Sequence, residues 1–208
     1  MCFSATASFT ASAVLGIVGV AAVSQTHNRR QLPLAFIPFI FAIQQLLEGW
    51  IWVSINNGGT HTALLTYLYL FFALFWWPFY IPIAIYLLEK DKKTKNAMFI
   101  LWLIGLFVGI LEYYSYTKSP LTAQIINHCI FYKVPSPLHI FTPILYLAST
   151  IGVTLLSSHK IIRLFGTLTA IFAAISAYLY YNNFTSIWCF FGAILSFVLF
   201  FHFKTKKV

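Results

Sequence analysis

The stretch ALLTYLYLFFALFWWPFYIPIAIYLL, residues 63–88, carries no charged side chain over 26 positions and is followed at once by Glu89-Lys90-Asp91-Lys92-Lys93-Thr94-Lys95-Asn96. A helix needs about 20 apolar residues to cross the hydrocarbon core of a bilayer. In lipid the backbone must satisfy its own polar groups, which leaves only helices and closed barrels. The run lacks the alternation of a barrel strand, so it is predicted as a helix. Pro78 and Pro82 predict one kinked or tilted helix, because no turn sequence divides the run into two. Trp76-Trp77-Pro78 is expected to be a packed kink, with a gating hinge as the sharper alternative.

Working outward from that stretch, the same pattern recurs. Apolar segments lie at about 5–23, 34–54, 63–88, 97–116, 139–157, 164–181 and 187–203. Hydrophobic residues make up 60% of the 208 positions and charged residues only 8%. A soluble domain carries nearer 25% charge, so a soluble enzyme is excluded. The expected fold is all-α, a polytopic membrane bundle of seven transmembrane helices forming one domain over 1–208. The opening residues lack a basic leader and a small-residue cleavage site, so the first segment is expected to stay as a span. Its Ala, Ser and Gly content suits close helix packing.

The loops set the expected orientation. Arg29, Arg30, Lys90, Lys92, Lys93, Lys95, Lys160, Arg163, Lys204, Lys206 and Lys207 fall on alternate connections and the tail, and only Lys118 and Lys133 fall on the others. The positive-inside rule places the rich set in the cytoplasm, with the N-terminus outside and the C-terminus cytoplasmic. The formal charge of +9 is thus a topological signal, and no nucleic-acid partner is expected. The connection 117–138 is the longest. It is expected to form a short interfacial helix around Leu121–Tyr132 and is the one loop large enough to act as a lid.

Against this background, buried ionisable groups stand out. Glu48 and Glu112 lie inside apolar segments, whereas Glu89 and Asp91 sit among lysines. At 1.5 Å per residue, Glu48 is about 21 Å and Glu112 about 22 Å from the inner ends of their helices. Both belong in the outer third, where an ionisable group normally faces the bundle interior or a water cavity. Gln44 and Gln45 precede Glu48 by one turn and share its face. Cys2, His128, Cys129, Tyr132, His139 and Cys189 fall toward the same side. This set is compatible with a metal or acid–base site, although no metal-binding spacing is present. The thiols carry a rival expectation, a disulfide of Cys189 with Cys2 or with Cys129 in an oxidising compartment. Asn183-Phe184-Thr185 is a glycosylation sequon, meaningful only in a glycosylating host. No lysine lies in any span, so retinal chemistry is excluded.

The opening Met1-Cys2-Phe3-Ser4-Ala5-Thr6-Ala7-Ser8-Phe9 resembles a family of small bacterial integral-membrane proteins of unknown function that begin this way. The likeness continues through Gln44-Gln45-x-x-Glu48-Gly49, Trp76-Trp77-Pro78, Ser157-Ser158, Phe165-Gly166 and Trp188-Cys189-Phe190-Phe191. The resemblance implies a bacterial inner-membrane location and a multi-span fold, and it implies no activity. It emphasises Cys2, Glu48, His128, Tyr132 and Cys189.

The favoured expectation is an outward-facing polar pocket that binds a metal or a small-molecule or lipid ligand, with membrane-embedded chemistry as an extension. Glu48 and Glu112 would be its catalytic acid–base pair. Gln44, Gln45 and Tyr132 would contact ligand. Cys2, His128, Cys189 and Glu48 would hold a transition metal such as zinc or copper. One alternative is a structural or assembly subunit with a disulfide-stapled outer rim. A second is a proton-coupled small-molecule transporter, against which stands the lack of inverted repeats.

Overall fold

The computed structural model describes residues 4–118, 123–126, 128–133, 141–179 and 183–204. The chain is mostly helical. Helix α1 spans Ala5–Ser24 and begins at Ser4, whose Oγ accepts the Ala7 N–H at 3.1 Å, satisfying one of the donors a helix start leaves open. A 3₁₀ turn, Arg29–Gln31, leads into α2 (Leu32–Ala35) and α3 (Ile37–Asn56). Next come α4 (Thr62–Leu70), a π-helical turn Phe71–Trp76, and α5 (Trp77–Tyr86). Helix α6 covers Lys92–Thr117 and is capped by Asp91, whose Oδ2 accepts the Thr94 N–H at 2.8 Å. After a β-hairpin come α7 (Phe141–Leu147), a second π turn Ala148–Gly152, and α8 (Val153–Leu156). Two further long helices, α9 (Lys160–Leu179) and α10 (Phe184–Lys204), complete the bundle.

Six of the resulting rods are long and apolar enough to cross a membrane, and Phe141–Leu156 forms a shorter apolar one. Sixteen residues rise about 24 Å, short of the roughly 30 Å hydrocarbon core. The observed helices differ from the expected segments mainly at their starts: the fourth begins at Lys92 rather than 97, because Asp91 caps the lysine-rich stretch into the helix. The second begins earlier, because Leu32–Ala35 adds a turn ahead of Pro38, and the sixth starts at Lys160 rather than 164.

Which faces turn outward follows from the exposed residues. On α6, Ile100, Leu103, Phe107, Ile110 and Tyr114 are exposed at spacings of three and four, and Val14, Ile17 and Val20 do the same on α1. Water would penalise such stripes, whereas lipid welcomes them. The α3 rod is the most buried, while α1, α6 and α9 are peripheral.

The long apolar run is indeed one helix, and its kink has an identifiable cause. In the π turn the Trp77 N–H reaches back to the Phe72 carbonyl. The Ala73 carbonyl should pair with the next N–H along, but that residue is Pro78, which has none. Tyr146 on α7 fills the vacancy, its hydroxyl donating to the Ala73 oxygen at 2.6 Å. Helix α6 passes so close to this kink that a Cβ at Gly105 would collide with the Pro78 carbonyl, and one at Gly109 would sit 3.1 Å from that of Phe75.

The connection between α6 and α7 corrects one expectation. Residues within Leu121–Tyr132 form an antiparallel hairpin, β1 (Ala123–Ile126) with β2 (Cys129–Tyr132), Ala123 facing Tyr132 and Ile126 facing Cys129. The amphipathic pattern that suggested an interfacial helix reflects one buried strand: Cys129, Ile130 and Tyr132 sink into the bundle. The hairpin packs on α3, α4 and α10.

At the opposite end, Glu89 closes the bundle. Its carboxylate accepts the backbone N–H of Lys90 (2.9 Å), Asp91 (3.2 Å) and Ser158 (2.9 Å) and the Ser158 hydroxyl (2.9 Å). The loop after α5 is thereby tied to the loop before α9. Burial alone would raise this carboxyl's pKa, but the four donors outweigh it and hold it below the ordinary value of 4.5. His159 and His202 meet edge to face at 5.1 Å in the same region.

Candidate functional site

The site is built on α3, where Gln44, Gln45 and Glu48 are all completely buried. Helical spacing puts the Gln44 and Glu48 side chains on one face, and the bundle supplies a separate partner for each. Glu48 Oε1 accepts the Ser186 hydroxyl from α10 at 2.6 Å and the Tyr132 hydroxyl from β2 at 3.3 Å. Gln44 Oε1 accepts the Trp77 indole N–H at 2.7 Å. Trp77 in turn stacks on Phe41 at 3.9 Å, which fixes the indole that donates to the amide.

Tyr69 of α4 stacks on Tyr132 with centroids 4.7 Å apart. Its hydroxyl, the Gln44 amide and the Cys189 thiol form a contiguous polar patch. Cys189 is a free, buried thiol. Neither disulfide considered for it is therefore present. The reason is positional: the first turns of α10 point Ser186 and Cys189, three residues apart, into the bundle toward α3 and α4 rather than along the rim.

Glu112 lies in an adjoining compartment. It is 6% exposed, and the Thr142 hydroxyl of α7 is placed to hydrogen-bond it. The carboxyl borders a cavity of about 210 Å3, lined also by Tyr146, Phe184, Thr185, Trp188 and Cys189. Cys189 thus separates the two compartments. A narrower space of about 30 Å3 continues from Cys189 and Trp188 to Thr150, Thr154 and Thr169. Those three hydroxyls are donated to carbonyls of their own helical segments.

Among the described residues, buried polar groups here without a hydrogen-bond partner include both amide atoms of Gln45, the Thr66 hydroxyl and the Trp188 indole N–H. Buried amides are nearly always paired, so these are places where a bound polar molecule would be stabilised.

The expected metal set does not assemble. Among the described residues no group of three His, Cys, Asp or Glu side chains is arranged to hold a metal ion. His128 is exposed at the tip of the hairpin, with φ at +58°; it serves the turn rather than the interior. Cys2 and His139 lie outside the described residues. Asn183 of the sequon is buried, its amide donating to the Ile126 carbonyl at 3.5 Å.

The gathered residues include several the sequence left unremarked: Ser186, Tyr69, Trp77 as a hydrogen-bond donor, Thr142 and Tyr146. The available signal was the i, i+3 pair Ser186 and Cys189. Nothing local marks Tyr69 or Thr142, whose roles come from packing.

Fold and site together define a helical bundle with six helices apolar enough to cross a membrane and a polar centre enclosed at one end. The chain belongs to the family of unknown function DUF6629, whose model matches residues 1–208. No curated protein and no solved structure is significantly similar to it.

Proposed function

We propose that this chain is a seven-span protein of a bacterial inner membrane, N-terminus outside, whose outer half binds a small organic ligand. The observation that carries the proposal is the Glu112 carboxyl, buried in a span yet bordering a cavity of about 210 Å3. An ionisable group at such depth usually marks a functional site. In the Glu48 cluster the Ser186 and Tyr132 hydroxyls are committed to the carboxyl, and Gln45 and Thr66 supply unmatched hydrogen-bonding capacity. The distribution of lysine and arginine supports the orientation.

An organic ligand fits this arrangement better than a metal, because oxygen and nitrogen donors are spread over two compartments rather than converging. The transporter reading is weakened by the inward space of only about 30 Å3, whose threonine hydroxyls are committed to backbone carbonyls. The structural-subunit reading is weakened because the Cys189 staple expected of it is absent.

The test is to purify the full chain in mild detergent and identify co-purifying small molecules and lipids by mass spectrometry. Glu112→Gln and Glu48→Gln should each lose the bound species while leaving the melting temperature within a few degrees of wild type. Undiminished retention by both variants would overturn the proposal.

A further inference from the structure

The cavity beside Glu112 has a chemical bias. Its walls present one carboxyl and three aromatic rings. Trp188 lies against Phe184 at 5.5 Å, interplanar angle 24°, and meets Tyr146 at 5.3 Å and 66°. The rings therefore form an angled wall centred on Trp188. Tyr146 cannot offer its proton to a guest, because its hydroxyl already donates to the Ala73 carbonyl. The Thr142 hydroxyl is turned to Glu112. What remains is a carboxyl and aromatic rings lining one cavity, with the Trp188 indole N–H as an unmatched donor; a carboxyl among electron-rich rings favours a cation.

The position of the cavity narrows the choice. Glu112 is five residues from the end of α6 at Thr117, about 7.5 Å along the helix axis. Glu112 therefore lies near the end of its helix rather than at its middle. Pro143 and Leu147 stand at the cavity's edge, and their neighbours Phe141 and Ile144 are 65% and 54% exposed on the lipid-facing side. Such exposed apolar residues beside the cavity would turn its mouth toward the bilayer.

We infer that the Glu112 cavity binds the ammonium group of an amine-bearing amphiphile, with Glu112 as counter-ion, Trp188, Tyr146 and Phe184 as π walls, and the apolar chain left in the bilayer. Two sources share this chemistry, an aminophospholipid headgroup and a free amine. The inference rests on the proposal that the outer half is a ligand site, and specifies its ligand class.

The test uses the full-length protein in nanodiscs of phosphatidylglycerol, titrated with decyltrimethylammonium or with decanol, which has the same chain and no charge. Binding is read by native mass spectrometry. Wild type should bind the ammonium probe at least ten-fold more tightly than decanol. Glu112→Gln should abolish the preference, Glu112→Asp should restore most of it, and Trp188→Leu should weaken it several-fold with the chain still folded. Equal binding of both probes, lost in Trp188→Leu, would overturn the ammonium inference and leave the ligand pocket standing. No binding of either probe to wild type would overturn both. Nanodiscs containing phosphatidylethanolamine separate the sources: if the headgroup is the ligand, they compete with decyltrimethylammonium, whereas if a free amine is the ligand, tetramethylammonium competes and the lipid does not.

Discussion

Two buried carboxylates at opposite ends of the molecule are treated differently. Glu89 is met by three backbone N–H groups and one hydroxyl, all within 3.2 Å. Glu48 receives two side-chain hydroxyls delivered by α10 and β2, and next to it Glu112 borders open space. A carboxylate held by backbone donors is fixed as firmly as the loops that carry them. One held by side-chain hydroxyls, among polar groups that have spare capacity, can exchange partners. The first arrangement locks two loops; the second is suited to receiving something.

The largest effect should come from the locked end. Glu89→Ala removes four acceptor contacts and leaves the Ser158 N–H at the turn without a partner, an expected loss of about 3 kcal/mol, measured by thermal unfolding in detergent. Ligand retention by the folded fraction should be unchanged. A small effect would mean that the loops hold each other without the clamp. The clamp also sets an acid limit. Its folded pKa lies below 4.5, so its stabilisation is complete above the unfolded value and fades as pH falls through the folded one. Melting curves of wild type should therefore fall more steeply below about pH 4.5 than those of Glu89→Gln.

The open end should respond with the opposite sign. Gln45→Met replaces a fully buried amide whose atoms lack partners with an apolar chain of similar shape. Ligand-free protein should gain about 1–2 kcal/mol, while the affinity for a co-purifying ligand falls. A stability loss would show that the amide is paired after all. Ser186→Ala should cost about 1 kcal/mol, read from the same melting curves, and should loosen Glu48 without touching the Glu89 clamp.

The smallest effect concerns the hairpin. His128 occupies a left-handed position at an exposed tip. His128→Gly should be neutral or stabilising by a few tenths of a kcal/mol, with metal content by elemental analysis unchanged. A loss of bound metal would return His128 to the interior site from which its exposure removes it.

Much of the architecture was legible from residues alone. Helices, their approximate ends and the apolar surround follow from hydropathy, because lipid forbids unpaired backbone and rewards apolar length. The presence of Gln44, Gln45 and Glu48 on a buried helix, and of Glu112 on another, was likewise visible as polar residues in segments where they are costly. The hairpin was misread because each strand is only four residues long, β1 largely exposed and β2 largely buried, so no period-2 signal separates it from a helical face.

What the sequence by itself determined, then, is a bundle of apolar helices with basic residues concentrated in alternate connections and two carboxyls within its apolar segments. Only the tertiary structure decided which carboxyl is enclosed and which faces a cavity, that Tyr146 satisfies the carbonyl stranded by Pro78, that Cys189 is a free thiol and that His128 points away. Those outcomes depend on which helix faces meet across dozens of residues of chain, and the spacing of residues along one helix carries no record of its neighbour's rotation.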